Sequence, residues 1–383
     1  MILNLFKMFP KSQKWVLWTL HDTETGPHRW ASKAFIWASF VYGGAAKLRR
    51  TLYQNRILKA KRLPCPVISV GNLTVGGTGK TPMVAYLANL LKGMGYRAAV
   101  LSRGYKGKAQ KCGGVVSDGS TVFMTPEDAG DEPFMLAEQL EEIPVLVGSN
   151  RFASGTLAVQ QYRSNVLILD DGFQHLALER DLNLVLLDHR YPVGNGHLLP
   201  RGTLREPLSA LSMADGVIFT RCDPCYASAM SPPRFLDREA FNKKPFFYAA
   251  HYPMIYRIKG ENPKADDVDS MAEKRGIAFS GIAQNDDFQH SLKAQHYDIV
   301  NFFGFPDHHP YTQKELEFIW LEGRKRGAFF VATTQKDYVR IRGRVPTDIP
   351  LMVLGIRLQF LKNDGVEFSD WVRNHVEEAM RKT

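Results

Sequence analysis

Residues 66–82 read PVISVGNLTVGGTGKTP, and the rest of the chain is organised around them. The stretch opens with the β-branched run Val67–Val70, which is typical of a buried parallel strand. A loop with four glycines follows, and Lys80, Thr81 and Pro82 then begin a predicted helix, because proline is tolerated in the first helical turn. A strand, a glycine-rich loop, Gly-Lys-Thr and a helix are together the layout of a phosphate-binding P-loop.

The residues of this loop and of the first helical turn are the predicted nucleotide-phosphate contacts. They are Thr74, Val75, Gly76, Gly77, Thr78, Gly79, Lys80 and Thr81. Glycines let backbone N–H groups approach phosphate oxygens, and the helix N-terminus adds partial positive charge. We expect Lys80 to act in catalysis on the β- and γ-phosphates, and the Thr81 hydroxyl to ligate Mg²⁺. The strict pattern has glycine where Thr74 stands, so a glycine turn with a purely structural role is the alternative.

Composition limits the class of protein. The chain has 383 residues, which is long for one hydrophobic core, so we expect two domains. The net charge of +10 favours an anionic partner: a nucleotide, a nucleic acid, an acidic lipid surface or a phosphorylated substrate. Four cysteines give no disulfide framework and indicate a reducing compartment. Cys222 and Cys225 form a CxxC without a second pair, which favours incidental thiols over a zinc or redox site.

Residues 1–60 differ in character from the rest of the chain. Met1–Leu20 is apolar but interrupted by lysines and a proline, and Trp30–Ala46 is rich in aromatic residues. Neither segment supplies the roughly 20 uninterrupted apolar residues that span a bilayer, and no signal peptide is recognisable. Aromatic-rich helices flanked by Lys and Arg suit the headgroup region, so we expect helices that lie on an anionic membrane surface. Helices packed on the protein's own core are the alternative.

From residue 66 onward, predicted strands and helices alternate, which is typical of an α/β fold with a doubly wound, mostly parallel sheet. Residues 61–230 form the predicted P-loop domain, in which 106–125 are expected to be loop and Phe134–Glu142 a helix. The predicted strands are Val67–Val70, Ala98–Leu101, Val145–Val147, Val166–Leu169, Leu182–Leu187 and Val217–Phe219. A proline-rich stretch, 223–245, marks the predicted boundary. Residues 245–383 form a smaller α/β domain with strands near Ile277–Phe279, Ile299–Phe302, Phe329–Ala332 and Leu351–Leu354.

Polar clusters follow several of these strands, where open α/β sheets bind their ligands. Asp170 and Asp171 end the run Val166–Leu169 as the acidic pair of a Walker B segment does, so one carboxylate is expected to hold Mg²⁺ beside the P-loop threonine. A solvated carboxylate pair is the alternative. Asp131 begins a helix, where a capping role competes with a functional one. His308 lies in a loop of the second domain, where an exposed histidine with no role is the alternative.

The type of nucleotide stays open at this point. Residues 220–223 (Thr-Arg-Cys-Asp) and 334–337 (Thr-Gln-Lys-Asp) both follow strands and loosely match the Asn-Lys-x-Asp shape that reads guanine. Neither is a full match, so the residues alone do not separate adenine from guanine.

Six motifs occur in an order that resembles one family. They are GNLTVGGTGKTP (71–82), SRGYKG (102–107), GDEP (130–133), DDGFQH (170–175), LREP (204–207) and FPDH (305–308). With the aromatic and basic N-terminus they resemble the tetraacyldisaccharide 4′-kinases, the lipid A 4′-kinases of Gram-negative bacteria. The resemblance covers about residues 30–340, and threonine at position 74 is similar to the family's own version of the loop.

The resemblance implies a P-loop kinase-like fold and a Mg²⁺-dependent enzyme at the cytoplasmic face of the inner membrane, bound peripherally. Such an enzyme would transfer the γ-phosphate of ATP to the 4′-hydroxyl of tetraacyldisaccharide 1-phosphate, giving lipid IVA. It also implies that Asp131 and His308 form a catalytic pair. In this pair the carboxylate accepts the hydroxyl proton, and the histidine orients and tunes the carboxylate. Asp170, Asp171 and Glu206 would lie near Mg²⁺. The implied contacts for the sugar or phosphates are Tyr105, Arg151, Gln174 and His175.

Two other classes compete with this interpretation. A P-loop GTPase or metallochaperone, a switch protein without a lipid substrate, is favoured slightly by the two Thr-x-x-Asp segments. A nucleic-acid binder would fit the positive charge, but the basic residues are scattered and no DNA or RNA motif occurs. We therefore expect no nucleic-acid partner.

Overall fold

The structure of the protein is a computed structural model. Its described residues form one twelve-stranded sheet. The structure describes residues 29–225, 244–259 and 274–382. The strands are β1 (Val67–Asn72), β2 (Ala98–Ser102), β3 (Gly114–Ser117), β4 (Val145–Val147), β5 (Val166–Asp170), β6 (Leu182–Asp188), β7 (Gly216–Thr220), β8 (Phe246–Lys259), β9 (Arg275–Ser280), β10 (Asp298–Gly304), β11 (Phe330–Thr334) and β12 (Leu351–Phe360).

Helices precede, separate and follow these strands along the chain. They are α1 (Arg29–Gln54), α2 (Lys80–Gly93), α3 (Pro126–Ala129), α4 (Asp131–Gln139), α5 (Arg151–Tyr162), α6 (Asn285–Ala294), α7 (Gln313–Lys325), α8 (Gln335–Ile341) and α9 (Asp364–Lys382). Short 3₁₀ turns occupy Lys108–Gln110 and Leu208–Met213.

Strand β1 lies at the point where the sheet changes winding direction. The strand order is β10-β9-β11-β12-β8-β7-β6-β1-β5-β2-β4-β3. The chain first fills the side of β1 that carries β2 to β5 and then the side that carries β6 onward. Pairing is parallel except between β3 and β4 and between β8 and β12. The predicted doubly wound, mostly parallel sheet is confirmed, and ligand sites in such sheets lie at the carboxyl ends of the strands beside this switch point.

The strands of the two predicted domains join in one sheet. Strand β8 pairs in parallel with β7 over Phe246–Tyr248 and antiparallel with β12 over most of its length. The chain can therefore be described as an amino-terminal portion (61–225) and a carboxyl-terminal portion (274–382) joined by β8. The domain division at 230–245 stays a prediction, and much of the predicted boundary, 226–243, lies outside the described residues.

Several elements differ from the sequence prediction. The stretch 106–125, expected as loop, contains β3, which pairs with the edge of β4. The helix expected at Phe134–Glu142 runs from Asp131 to Gln139. Its N-cap is Gly130, so the capping alternative for Asp131 is wrong. Strand β8 and helices α6 and α8 were not predicted.

The hydrophobic core explains why α2 forms directly after the glycine loop. Its buried residues Met83, Val84, Leu87 and Leu91 recur at helical spacing and pack on the sheet. Helix α9 packs on the same cluster through Phe368, Val372 and Val376. Each large side chain buried in this way contributes about 1.5–3 kcal/mol. The packing fixes the first turn of α2, and with it the loop that precedes it.

Helix α1 is tied to the loop around residues 198–205. Ser39 Oγ donates to the Leu198 carbonyl at 2.9 Å, and Tyr42 Oη donates to the Arg205 carbonyl at 2.9 Å. Within the described ranges, no helix is both long and apolar enough to cross a bilayer. The predicted apolar segment Met1–Leu20 lies outside the described residues.

Candidate active site

The glycine loop between β1 and α2 adopts a conformation that only glycine accepts easily. Gly76 and Gly79 have φ values of 114° and 83°, and Gly79 is the N-cap of α2. A Cβ on Gly79 would lie 2.4 Å from Nε2 of His251, so the histidine ring packs directly against the loop. Asn72 Nδ2 donates to Thr78 Oγ1 at 3.0 Å, and Thr220 Oγ1 donates to the Thr78 carbonyl at 2.8 Å. Neighbouring strands thus hold the loop open and leave its N–H groups and Lys80 for a phosphate chain.

A cavity of about 1550 Å³ lies over this loop. Its walls come from both portions of the chain and from α1. With the exception of Thr74, every residue predicted for the site lines it: Val75, Gly76, Gly77, Thr78, Gly79, Lys80, Thr81, Tyr105, Asp131, Arg151, Asp170, Asp171, Gln174, His175, Glu206 and His308. Thr74 is buried and forms a β-bridge to Leu204, so it supports the loop from behind.

The acidic pair after β5 faces the P-loop lysine. Lys80 Nζ lies 3.5 Å from Asp171 Oδ1, and Arg205 Nη1 donates to Asp171 Oδ2 at 2.9 Å. Burial alone would raise the pKa of Asp171, but the charges of Lys80 and Arg205 outweigh it and lower this pKa. Asp170 is fully buried, and burial together with the charges of Glu132 and Asp171 raises its pKa to about 7.

The acidic pair fits a divalent cation. Ser102 Oγ donates to Asp170 Oδ2 at 2.9 Å, whereas Asp170 Oδ1 is buried without a hydrogen-bond partner. An unpartnered carboxylate oxygen beside a second carboxylate is costly unless a cation or proton neutralises it. Thr81, the second residue of α2, lines the same cavity. Asp170, Asp171 and Thr81 are therefore residues that could hold Mg²⁺.

Glu206 lines the same cavity, and its place near Mg²⁺ stays a prediction. No group of three or more His, Cys, Asp or Glu side chains suited to a metal ion occurs in the described ranges. Burial raises the pKa of Glu206, and Arg50 and Arg49 of α1 act against this. The structure thus places Glu206 in a basic environment at the α1 wall of the cavity.

Asp131 and His308 meet across the two portions of the chain. His308 Nδ1 lies 2.9 Å from Asp131 Oδ2, and Arg340 donates to the same oxygen from Nε at 2.8 Å and from Nη2 at 2.6 Å. Burial alone would raise the pKa of Asp131, but these hydrogen bonds outweigh it and lower the pKa to about 2. All hydrogen bonds that the described residues make to this carboxylate go to Oδ2. Oδ1 is therefore the oxygen that can receive a ligand.

The four residues implied as sugar or phosphate contacts surround this pair and the loop. Tyr105 is exposed, with its ring centroid 6.2 Å from that of His308. Arg151 is buried, donates to the Gly148 carbonyl, and has its pKa lowered to about 10 by burial. Gln174 Nε2 donates to the Asn72 carbonyl at 2.8 Å. Burial and nearby arginines lower the pKa of His175 to about 4, so its ring is neutral at pH 7.

Sequence reasoning missed three residues of the site. Arg205 lies inside the LREP motif, so a signal for it existed. Ser102 opens the SRGYKG motif and was likewise present without an assigned role. Arg340 follows His308 by 32 residues and belongs to no quoted motif. Only the three-dimensional contact reveals it.

The two segments that loosely match a guanine-reading motif have structural contacts instead. Thr220 supports the P-loop, and Arg221 pairs with Asp188 at 3.0 Å and with Asp287 at 2.9 Å. Thr334 is the N-cap of α8, and Asp337 is fully buried among hydrogen-bond donors.

Cys222 is buried and Cys225 is exposed, and neither forms a disulfide.

A glycine loop at the switch point of a doubly wound sheet, facing an acidic pair and a lysine, defines a P-loop protein of the nucleotide-binding α/β class. The model of the family described as tetraacyldisaccharide-1-P 4′-kinase matches residues 32–377. The chain therefore belongs to the tetraacyldisaccharide 4′-kinase family and is a phosphotransferase of lipid A biosynthesis.

Individual relatives and a solved structure agree with this family. The chain is similar to the tetraacyldisaccharide 4′-kinase of Desulfatibacillum aliphaticivorans, with 41% identity over 88% of this chain and 91% of the relative. The same enzyme of Pelobacter propionicus is 43% identical over 88% of this chain and 90% of the relative. The crystal structure of LpxK from Aquifex aeolicus in complex with ATP has a TM-score of 0.69 and 32% identity, and covers 89% of this chain and 98% of that chain. The kinase resemblance is confirmed, and the comparisons favour it over the GTPase or metallochaperone alternative.

Proposed function

We propose that the protein transfers the γ-phosphate of ATP, with Mg²⁺, to the 4′-hydroxyl of tetraacyldisaccharide 1-phosphate while its α1 helix lies on a membrane surface. The observation that carries this proposal is the 2.9 Å contact between Asp131 and His308 in the cavity over the glycine loop. A phosphate cradle and an acceptor-side carboxylate occur in one cavity, as phosphoryl transfer to an alcohol requires.

The glycine loop would hold the triphosphate. Its N–H groups and the N-terminus of α2 offer hydrogen bonds and partial positive charge to the phosphate oxygens. Lys80 is paired with Asp171 at 3.5 Å, so its ammonium group is already directed toward the cavity. Phosphoryl transfer proceeds through a loose transition state with charge spread over the phosphate oxygens, and a fixed cation stabilises that charge.

Asp170, Asp171 and Thr81 would hold Mg²⁺. When bound, Mg²⁺ supplies neutralisation of charge on the phosphate oxygens. The buried Asp170 Oδ1, which has no hydrogen-bond partner, supports this assignment. Ser102 and Arg205 orient the two carboxylates through their hydrogen bonds.

Asp131 would orient the acceptor hydroxyl and take its proton. A carboxyl with a pKa of about 2 is a weak base, so it accepts the proton only as the new P–O bond forms. A loose transition state demands little of base strength and much of position, because the attacking oxygen must lie in line with the leaving group. His308 fixes one carboxylate oxygen and leaves Oδ1 toward the cavity. The carboxyl-terminal portion, which carries His308, also covers the site and limits water as a competing acceptor.

Basic and polar side chains on the cavity wall would bind the sugar and its phosphate. Tyr105, Arg151, Gln174 and His175 line the same cavity as the Asp131–His308 pair. Arg49 of α1 lines it as well. A substrate that already carries a phosphate would meet two cations here, the buried Arg151 and the exposed Arg49, which favours its binding.

Helix α1 would bring the cavity to the lipid. Trp37, Phe40 and Val41 are 73%, 71% and 72% exposed. Phe40 and Val41 follow Trp37 by three and four residues, so all three lie on one side of the helix. Tyr42 and Arg49 of the same helix line the cavity. A lipid with several acyl chains leaves a bilayer only at a cost of about 0.8 kcal/mol per exposed CH₂, so an enzyme surface that enters the headgroup region is the cheaper arrangement.

Transfer of labelled phosphate to the disaccharide lipid tests the function. Purified protein with Mg²⁺ and [γ-³²P]ATP should label tetraacyldisaccharide 1-phosphate in mixed micelles, and ATP consumption should rise with the lipid. Lys80→Ala should lower the rate by about 10²-fold or more. Lys92→Ala is the matched control, because Lys92 lies on the same helix but pairs with Glu142 at the surface. A rate of ATP hydrolysis that does not depend on the lipid would contradict the proposal, and so would full activity of Lys80→Ala.

A further inference from the structure

Arg340 joins the two halves of the Asp131–His308 pair. Its Nε and Nη2 both donate to Asp131 Oδ2, and Nη2 lies 3.0 Å from His308 Nδ1. Its Nη1 donates to the Gly281 carbonyl at 3.2 Å and to Asp337 Oδ1 at 3.1 Å. The Arg340 side chain is 8% exposed, so nearly the whole guanidinium is committed to this cluster.

Asp337 anchors Arg340 to the carboxyl-terminal portion. The carboxylate is fully buried and accepts from Tyr311 Oη at 2.9 Å, from Thr334 Oγ1 at 2.6 Å and from the Gly281 N–H at 3.1 Å. An acidic side chain with this many donors has one orientation available to it. The Thr-Gln-Lys-Asp segment 334–337 therefore serves as a rigid base for the guanidinium three residues later.

The same segment contacts both elements that carry the pair. Lys336 Nζ lies 3.6 Å from Glu132 of α4 and 3.6 Å from Asp307 of the loop that carries His308. Gln139 Nε2, at the end of α4, donates to Gln335 Oε1 at 2.8 Å. Helix α8 thus fixes α4 and the histidine loop relative to each other.

We infer that Arg340 is a positioning residue for phosphoryl transfer: held by Asp337, it fixes Asp131 Oδ2 against His308 and so directs Asp131 Oδ1 toward the acceptor hydroxyl. The inference rests on the proposed function, which it deepens. Arginine suits this task because its planar guanidinium presents several donors in fixed directions, whereas a lysine ammonium is a point charge on a flexible chain. A carboxylate free to rotate would lose the in-line geometry on which the rate depends.

The charges around Asp131 give the inference a pH-dependent readout. His308 and Arg340 contact Asp131 directly, and the ion pairs of the same cluster add Asp307 from the histidine loop, Lys336 and Asp337 from α8, and Glu132 from the helix of Asp131 itself. Burial raises the pKa of Asp131, and the contacts with His308 and Arg340 lower it. Without the guanidinium only His308 remains of these two, so the pKa of Asp131 rises. Asp131 then becomes protonated at a higher pH, and the variant loses activity relative to the wild type as the pH falls.

Arg340→Met tests the inference in the full-length enzyme. We expect kcat for lipid phosphorylation to fall about 10²-fold while KM for ATP changes less than about threefold, because the substitution removes orientation and leaves the nucleotide loop intact. The ratio of variant to wild-type kcat should fall further between pH 7.5 and pH 5.5. Arg342→Met is the matched control: Arg342 pairs with Glu138 across the same two elements, is exposed, and does not contact Asp131. It should keep wild-type kinetics.

Arg340→Lys separates positioning from folding. It keeps the charge in the buried cluster, so it should fold and keep the pH profile of the wild type, but recover only part of kcat. If Arg340→Met does not fold, Arg340→Lys alone decides, and wild-type kcat in that variant overturns the inference. Equal kcat and equal pH dependence of Arg340→Met and Arg342→Met overturn it as well. A wild-type protein that transfers no phosphate to the lipid contradicts the proposed function instead, which keeps the two failures distinct.

Discussion

Asp131 lines the cavity, and its Oδ2 accepts every hydrogen bond that the described residues make to this carboxylate. Asp131→Asn keeps the shape of the side chain and removes its charge, so the acceptor hydroxyl loses its proton acceptor. We expect kcat for lipid phosphorylation to fall by about 10²-fold or more. Nucleotide affinity should stay within about threefold, because Asp131 lies on α4 and not on the phosphate loop. Initial rates and a fluorescent-nucleotide titration measure the two quantities separately.

Glu127→Gln is the control for that substitution. Glu127 is exposed on α3, four residues before Asp131. Its replacement by glutamine removes the same charge from the neighbouring surface. It should have wild-type kinetics. Near-normal turnover of Asp131→Asn would remove Asp131 from the role proposed for it.

Gly79 is the residue at which the loop turns into α2. Gly79→Ala should weaken nucleotide binding by about tenfold or more, because φ at this position is 83° and the new methyl would lie 2.4 Å from His251 Nε2. Gly93→Ala, at the other end of the same helix, places its methyl in open space and should be neutral or slightly stabilising. Isothermal titration with ATP and Mg²⁺ compares the two variants, and equal affinities would contradict the prediction.

At this scale, sequence reasoning located the loop and a part of the cavity lining, because each motif is a short run of residues with its own chemistry. Arg340 escaped because its contact with Asp131 spans 209 residues and no local pattern accompanies it. The motif that contains Glu206 gave no sign of its charged neighbours Arg49 and Arg50, because they come from a distant helix.

At the scale of elements, helix α1 combines an exposed apolar face with a wall of the cavity. Replacing Trp37 and Phe40 together with serine should lower the rate on substrate in anionic vesicles by about tenfold, since less apolar surface enters the headgroup region. The rate on substrate dispersed in detergent should change little. Both rates come from the same labelled-phosphate assay.

Val366→Ser is the control for the helix variant. Val366 is 68% exposed on α9, so the control removes a comparable exposed apolar group from another helix. A vesicle rate that falls equally in the control, or does not fall in the α1 variant, would argue against the membrane role of α1.

The central strands were predictable because they are unbroken β-branched and aliphatic runs, which buried parallel strands require. Strand β8 was not, because Pro253 and several polar residues interrupt its apolar pattern. It tolerates the proline in an antiparallel ribbon with β12, where the register also shifts. Helix α8 is too short, at seven residues, to give a periodic signal.

At the scale of the whole molecule, the strands of the amino-terminal and carboxyl-terminal portions belong to one sheet, although the sequence predicts two domains. The order of strands depends on pairing between distant segments, and no local propensity encodes the contact of β7 with β8 or of β8 with β12. Length predicted two domains, and that division stays a prediction; length carried no information on whether the sheet would continue from one portion to the other.

Stability of the whole molecule should depend on pH through His251. Burial and the nearby charge of Arg221 lower the pKa of this histidine to about 4, below its ordinary value. The unfolded chain therefore binds more protons between about pH 6.5 and pH 4, and folding stability is present above this range and lost as the pH falls through it. We expect about 1–2 kcal/mol of this loss to come from His251, after allowance for solvent screening.

His251→Gln should flatten that dependence. The difference in Tm between pH 7.5 and pH 5 should be smaller in this variant than in the wild type, and other titrating groups cancel in the comparison. His296→Asn, at an exposed position with φ of 60° that asparagine accepts, should leave the difference unchanged. Equal pH dependence in the wild type and His251→Gln would contradict the prediction.

Asp131 and His308 lie 177 residues apart and share one hydrogen bond across the two portions of the chain. The portions are consequently not interchangeable parts. Consider a chimaera that takes the residues up to β8 from one relative and the remainder from another. It could keep every strand pairing and still misplace the histidine loop by enough to abolish phosphoryl transfer. Recombination within this family would then be constrained at the seam between portions, where α4 meets α8, more tightly than anywhere inside either core.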